Sequence, residues 1–441
     1  MSPSSMGITS KLLETMSNIK PSEQWPTFVS FAIALLLMAS YFLLRPVRDA
    51  MASDWSDTEV SFLWNIQFFV SLALVALYGK LVSSIRFKLV VPMVYGLFCA
   101  SFVAFFLLND LITDPTLIEK TFYIWVSAFS LFHVSVFWSL MSHSFSSEQA
   151  KRLFPVIAAG ASAGAIIGPT LPALFANNLG LSTLMLIAAC GICAVVPLVL
   201  SLQSYTSKFN NIDKDPKLAK SNDEIKSAWW SGFKAFSNNP YLLLIGLFLL
   251  LYVFIGSFVY FEQKNLLAEY SRTERVQILS KIDWIVNTLT FFLAFFVTGR
   301  LTVKLGMTVT LIVLPVLMIM GLFIIAIAPM VIVLMGLQIA RRAGNYAITR
   351  PAREMLFSKV NQDQRFKAKP VIDVVVYRGG DAASGSLFAL LSEGVGLGLA
   401  SIAIIGAAIS AMWAAVGVVL GRMYNSNSNK GEKKNWEGAP A

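Results

Sequence analysis

The chain has 441 residues, of which 56% are apolar or aromatic and only 14% are charged, with a mean hydropathy of +0.66. A water-soluble domain carries about 25% charged residues, so this composition excludes a chain folded mainly in water and makes the lipid bilayer its principal partner. The formal net charge of +10 does not imply nucleic acid, because the basic residues lie between apolar runs and form no stripe.

A polar tail, residues 1–24, precedes apolar runs at about 25–45, 58–78, 88–108, 119–141, 153–176 and 179–202. A polar linker over 203–239 follows, with Trp229 and Trp230 suited to the membrane interface. Further runs lie at about 241–262, 278–298, 306–327, 329–349, 371–393 and 396–420, and residues 421–441 form a second tail. Each run has the roughly 20 residues that a helix needs to cross the hydrocarbon core. The first lacks an A-x-A-like exit and reads as a helix, not a cleaved signal. The eleventh is the weakest, because Asp373, Arg378 and Asp381 interrupt it. The expected fold class is an all-α membrane protein of about 12 transmembrane helices in two six-helix bundles, at 25–202 and 240–420.

Lys and Arg mark the cytoplasmic side. The tails and the 2–3, 4–5, 6–7, 8–9 and 10–11 loops hold 25 of the 35, against six in the alternate loops. Both termini are therefore expected in the cytoplasm, in a bacterial-type inner membrane. Cys99, Cys190 and Cys193 fall within apolar runs and read as small hydrophobes. Without a nearby histidine or second pair, Cys190-x-x-Cys193 is not expected to hold a metal. His133 and His143 stand alone and read as packing residues.

The two halves repeat at an offset of 214–220 residues. Tyr41-Phe42-x-x-Arg45 matches Tyr260-Phe261-x-x-Lys264, and Trp55-Ser-x-Thr58-Glu59 matches Tyr270-Ser-x-Thr273-Glu274. Pro26 matches Pro240, Gly79-Lys80-Leu81 matches Gly299-Arg300-Leu301, and Pro155-Val156-Ile157 matches Pro370-Val371-Ile372. An even number of spans per half gives the copies the same orientation, related by an axis along the membrane normal. This plan resembles major-facilitator transporters, and Gly299 to Gly306 (GRLTVKLG) resembles a degenerate form of their G-x-L-x-D-R-x-G loop.

Ionisable groups inside a bilayer are costly and usually face a wet cavity or a partner. Lys281, Asp283, Arg341, Arg342, Arg378 and Asp381 are such groups. At an offset of 216, Lys281 and Asp283 align with Asn65 and Gln67, so both halves carry polar groups at equivalent depth; at an offset of 215 Arg378 aligns with Ala163. Guanidinium groups recognise phosphate and carboxylate bidentately, which makes a small anionic solute the expected substrate, bound by Asn65, Gln67, Lys281, Arg341, Arg342 and Arg378. The bland alternative places Lys281 and Asp283 near the interface and pairs Arg378 with Asp381. Gly160, Gly164 and Gly168 at four-residue spacing suggest close helix packing. No G-x4-G-K-[ST], H-E-x-x-H or G-x-S-x-G motif is present, so no enzyme, cofactor or ATP hydrolysis by that route is expected.

Ser147 to Pro155 (SEQAKRLFP) resembles the S-E-A-K-R-F-Y-type stretch of the ATP/ADP translocase family of nucleotide transporters. Phe366 to Gly380 (FKAKPVIDVVVYRGG) resembles that family's K-x-K-x-x-[IV]-D-V-x-x-x-R-x-G stretch, and Leu44 to Asp49 (LRPVRD) its L-R-D-T-K-D segment. The resemblance implies a twelve-span exchanger of nucleotides such as ATP and ADP. By motif it assigns substrate binding to Arg48, and coupling or gating to Glu148, Glu262 and Lys367 or Lys369, with Asp283 and Asp381 added from the residue reading. The alternative is a proton-coupled carrier of a different solute. A monomer without metal or nucleic-acid partner is expected.

Overall fold

The computed structural model describes residues 19–109, 116–209, 233–234, 236–296, 298–361, 364, 368–369 and 371–436, among which no strand occurs. Lys367, Trp229 and Trp230 lie outside the described residues. Helices α1 (Pro21–Ala52), α2 (Asp57–Ser84), α3 (Phe87–Asn109), α4 (Thr116–Ser144) and α5 (Ser147–Phe209) supply the first six spans. The fifth and sixth runs form one 63-residue element, broken where Gly180 takes φ 72° and ψ 166°. Helices α6 (Pro240–Leu267), α7 (Arg272–Phe296), α8 (Thr298–Ile327), α9 (Val331–Gly344), α10 (Arg350–Leu356), α11 (Tyr377–Ala389) and α12 (Leu399–Trp436) supply the second six.

The repeat has a local cause in helix capping. Ser56 and Glu59 exchange backbone-to-side-chain hydrogen bonds of 3.0 and 3.1 Å at the start of α2. At the corresponding start of α7, Ser271 and Glu274 do the same at 2.9 and 3.4 Å. This reciprocal arrangement satisfies amide groups that a helix N-terminus leaves without partners. At α6, Asn239 accepts from the amides of Tyr241 and Leu242, and Pro240 begins the helix. Gly306, the last residue of the GRLTVKLG stretch, has φ 76° and breaks α8 as Gly180 breaks α5. Nothing would crowd a Cβ at either position, so backbone conformation selects glycine there.

The chain folds as two compact units, each of which borrows from the other half of the sequence. The first comprises Met1–Met51, Val70–Pro216 and Ser271–Trp284; the second comprises Ala52–Phe69, Lys217–Tyr270 and Ile285–Ala441. In the first unit α1 lies directly on α5. A Cβ on Gly160, Gly164 or Gly168 would fall 2.5, 2.2 or 2.6 Å from the carbonyl oxygens of Phe31, Leu35 and Ala39. The glycine stripe is therefore a close-packing surface, as its spacing suggests. Beside it α3 packs on α5 and joins Cys99 to Cys193 in a disulfide, with Cα atoms 5.2 Å apart. This corrects the reading of both residues as simple hydrophobes: helix packing brings together thiols separated by 94 residues, while Cys190 keeps a free, exposed thiol.

In the second unit α12 packs against α8 and α6, and α6 also packs against α11. The buried Trp413 ring lies 5.5 Å from Phe248 and 5.7 Å from Tyr252. Among the described residues, eight helices are long and apolar enough to cross a membrane, α5 counted as one. Absent from that set are α7, α9 with α10, and α11. These are the segments carrying Lys281 and Asp283, Arg341 and Arg342, and Arg378 and Asp381.

Candidate functional site

The second unit concentrates basic side chains on α9 and α11. Arg341 is buried and donates from Nε and Nη2 to Gln338 Oε1 at 2.9 and 2.7 Å. Its Nη1 reaches Tyr252 Oη at 3.4 Å, and the guanidinium lies 5.8 Å from that ring's centroid. Gly256 leaves room for it, because a Cβ there would fall 2.9 Å from Nη1. Gln338 in turn donates to Gln263 Oε1 at 2.8 Å, linking α9 to α6. All of Arg341's hydrogen-bond acceptors among the described residues are neutral, so its charge is held in place without being cancelled.

Arg378 pairs with Asp381 at 3.5 Å, the spacing anticipated by the bland alternative. The two residues are nonetheless not isolated, because Asp381 also feels the charge of Arg341, and Tyr252 feels Arg341, Arg342 and Asp381 together. Three arginines thus share their surroundings with one acid. A helix irregularity accompanies them. Between α9 and α10, residues Asn345–Thr349 form a π-helical turn in which the Arg350 amide reaches back five residues to Asn345. Pro351 follows with no amide hydrogen to offer, and the wider turn absorbs that loss. Further π-helical turns flank α11 at Val371–Val376 and Leu390–Gly394. Such turns are frequent at functional sites.

The same unit holds a second polar cluster at the end of α6. Lys264 Nζ lies 2.8 Å from Asp57 Oδ1 as an ion pair, while its hydrogen bond goes to the Trp55 carbonyl at 2.5 Å. Asn265 and Ser392 donate to Asp57 Oδ2 at 3.2 and 2.8 Å. Glu393 accepts from the Asp57 and Thr58 amides at 2.6 and 3.1 Å, placing a carboxylate at the α2 N-terminus, where the helix dipole favours it. Asn65 donates to Ser386 at 3.0 Å, Gln67 is buried, and Glu262 is buried beside Asp57.

In the first unit Arg48 donates to Asp49 Oδ1 at 2.9 and 2.6 Å and to Ser127 Oγ at 3.0 Å, with its guanidinium 5.3 Å from the Tyr123 ring centroid. Arg45 lies between Asp49, at 3.6 Å, and Asp283, at 3.4 Å. Lys281 is exposed while Asp283 is buried, so these residues do not share a face. Glu148 is exposed next to Arg152, whose guanidinium clasps the Glu23 carboxylate at 3.0 and 2.9 Å. The SEQAKR stretch therefore ties α5 to the start of α1. Similarly, Lys369 pairs with Glu354 at 2.5 Å and Asp373 with Arg353 at 3.3 Å, tying α10 to the turn before α11.

Sequence reasoning passed over Gln338, Tyr252, Gln263, Arg45, Asp57 and Glu393. Gln338 stands three residues before Arg341 in an apolar run, a spacing that puts both on one helix face. Arg45 stood in the repeated Tyr-Phe-x-x-basic pattern, and the other four carried no comparable signal.

Residues 29–351 match the model of the Major Facilitator Superfamily. The chain belongs to that superfamily. It is a multi-pass membrane transporter that works by alternating access. No curated protein sequence matches it. Among solved structures it is similar to the nucleoside transporter NupG, with 14% identity, a TM-score of 0.62, and 91% of this chain and 99% of that one covered. A bacterial homologue of the iron transporter ferroportin, in an inward-facing state, gives 14% identity and a TM-score of 0.65 over 90% of this chain and 98% of that one. A bacterial homologue of the human lysosomal transporter Spinster gives 13% and 0.57 over 95% and 100%. At such identities the likeness shows the fold alone.

Proposed function

We propose that this superfamily member is a secondary transporter of a small organic anion, with nucleotides and other phosphate-bearing anions as its substrate class. The observation that carries the reading is the imbalance on α9 and α11: Arg341, Arg342 and Arg378 stand with Asp381, and among the described residues Arg341 bonds only to neutral acceptors. An arginine fixed by Gln338 and Tyr252 is preorganised for a phosphate or carboxylate and loses little freedom on binding it. The ATP/ADP translocase-like stretches narrow the class to nucleotides and to exchange of one anion for another. Arg48 serves as a second anion contact, and Glu148, Lys367 and Lys369 lie in the stretches that carry the resemblance. The protein acts as a monomer in a bacterial inner membrane with both termini cytoplasmic, following its distribution of Lys and Arg.

The test is uptake of radiolabelled ADP, ATP and inorganic phosphate into proteoliposomes preloaded with each in turn. Wild-type protein is expected to show uptake stimulated by the preloaded anion. Arg341→Gln removes a charge-assisted contact and should lower uptake at subsaturating substrate roughly ten- to hundredfold. Uptake of uncharged nucleosides with no anion transport, or unchanged anion uptake by Arg341→Gln, would refute the proposal.

A further inference from the structure

We infer that Lys281 and Trp284, in the N-terminal half of α7, form a binding site for the phosphate of an anionic phospholipid. The inference holds for any transported solute, and it takes Lys281 away from the solute site that its sequence suggested. Lys281 is exposed, and among the described residues it makes no hydrogen bond or ion pair. Two residues on, Asp283 is buried and pairs with Arg45 at 3.4 Å. Two steps along a helix of 3.6 residues per turn lead to nearly the opposite face, so Lys281 points away from the protein interior.

The face that carries Lys281 is otherwise apolar. Trp284, nearly one turn further, is 42% exposed, and Phe291 and Phe292 continue the stripe along the same helix. Leu279, Ile282 and Val286 are buried on the other side. On a helix of a membrane protein, an exposed stripe of large aromatic rings meets hydrocarbon, which suits such rings as well as a protein interior does. The fold does not require a cation there. At the corresponding place in the repeat, Asn65 donates to the Ser61 carbonyl at 2.9 Å and to Ser386 Oγ at 3.0 Å. The second half instead keeps a charge with no protein partner among the described residues, on a face turned to lipid.

An ionised side chain facing hydrocarbon is costly unless it snorkels to the interface or draws the interface toward it. The depth of Lys281 suits both. At the start of α7, Arg272 clasps the Glu119 carboxylate and marks the level of water. Lys281 lies roughly 13 Å further along the helix axis, at 1.5 Å per residue. The interfacial zone on either side of the hydrocarbon is about 5–8 Å deep, so the Lys281 backbone sits just inside the hydrocarbon. Helical side chains tilt toward the helix N-terminus, which directs the lysine stem back to the level of the lipid phosphates. Trp284 tilts the same way and lays its ring beneath that stem, and its indole N–H donates to no described residue. A zwitterionic headgroup carries its own cation beside the phosphate, in competition with Lys281, whereas a phosphatidylglycerol headgroup does not. A lipid held there braces residues 271–284, the part of α7 that belongs to the first unit and carries the Asp283–Arg45 pair.

Titration of delipidated full-length protein with phosphatidylglycerol, and separately with phosphatidylcholine of the same chains, tests the site by native mass spectrometry. The first phosphatidylglycerol should bind wild type about tenfold more tightly than the first phosphatidylcholine, the size of one charge-assisted contact. Lys281→Gln should lose that preference, and Lys281→Arg should keep most of it. Lys151→Gln removes the same charge from another exposed position of the first unit and should bind as wild type does. An unchanged preference in Lys281→Gln, or an equal loss in Lys151→Gln, overturns the inference. A second measurement needs wild type alone and stands whether or not the variants fold. In lipid nanodiscs, a membrane-permeant amine-reactive ester should modify Lys281, relative to Lys151, several-fold more slowly in phosphatidylglycerol than in phosphatidylcholine. Inorganic phosphate added to phosphatidylcholine discs should give no such protection. Equal relative rates in the two lipids overturn the inference, and so does protection by inorganic phosphate, which would place Lys281 on an aqueous anion path.

Discussion

At the scale of single residues, Arg341 shows how charge and geometry divide the work of binding. Its fork is occupied by Gln338 on one edge and by Tyr252 on the other, which fixes the plane of the guanidinium. Lysine has a comparable charge and no fork. Arg341→Lys should therefore bind anion more weakly than wild type but better than Arg341→Gln, and the difference should appear in the KM for uptake. Asp381 works in the opposite sense, since its charge offsets Arg378 and reaches Arg341. Asp381→Asn leaves the cluster more positive and should lower KM for an anion by about three- to tenfold. A raised KM would mean that Asp381 serves mainly to orient Arg378. The arginines were legible in the sequence because a charge inside an apolar run is conspicuous. Tyr252 and Gln263 were not, since neutral polar side chains are common in such runs. Asp57 and Arg45 sit at span ends, where charges are ordinary, and only the fold reveals what they touch.

Among the helices, sequence spacing was most informative where a backbone requirement stood behind it. The Gly160, Gly164 and Gly168 stripe announced close packing because nothing larger lets two backbones meet, and α1 lies along it. Gly164→Ala would place a methyl 2.2 Å from the Leu35 carbonyl oxygen. Backbone cannot yield as a side chain does, so α1 must shift, and a loss of about 1–3 kcal/mol is expected. Thermal unfolding in detergent should show a lower midpoint. Gly96→Ala, where nothing lies within 4 Å, should match wild type or exceed it, because alanine favours the helix by about 0.5–1 kcal/mol. Equal midpoints for both variants would mean that the stripe does not hold α1. The S-x-x-E repeats were equally readable, and they mark the starts of α2 and α7. Helix patterns did not show the Cys99–Cys193 bond, because pairing across 94 residues depends on which helices become neighbours.

Across the whole molecule, two ion pairs cross between the sequence halves, and their basic members correspond by the repeat. Arg45 and Lys264 occupy corresponding places near the ends of α1 and α6. Arg45 pairs with Asp283 on α7, and Lys264 pairs with Asp57 on α2. Each pair lies within one compact unit, yet each joins a helix of one sequence half to a helix of the other. A transporter whose halves move against each other must break such pairs and remake them in every cycle. Removing one acid should therefore disfavour the conformation described here. The two sites should respond unequally, because Lys264 is buried and its partner is further held by Asn265 and Ser392 at its carboxylate and by Glu393 at its amide, whereas Arg45 keeps Asp49 as a second acid. Removing one member of a buried pair costs about 3–5 kcal/mol. Asp57→Asn should thus raise the release of residues 52–69 from the end of α6 by tenfold or more, and Asp283→Asn should have the smaller effect on its own unit. The readout is the labelling rate of a cysteine placed at buried Ser61 for the first variant and at buried Ser280 for the second, with Cys190 replaced by serine. Adding Lys264→Gln to Asp57→Asn should slow labelling again, because the loss in the single variant comes largely from a stranded ammonium. If the double variant labels as fast as the single one, the Lys264–Asp57 charge pair is not what holds residues 52–69 against α6.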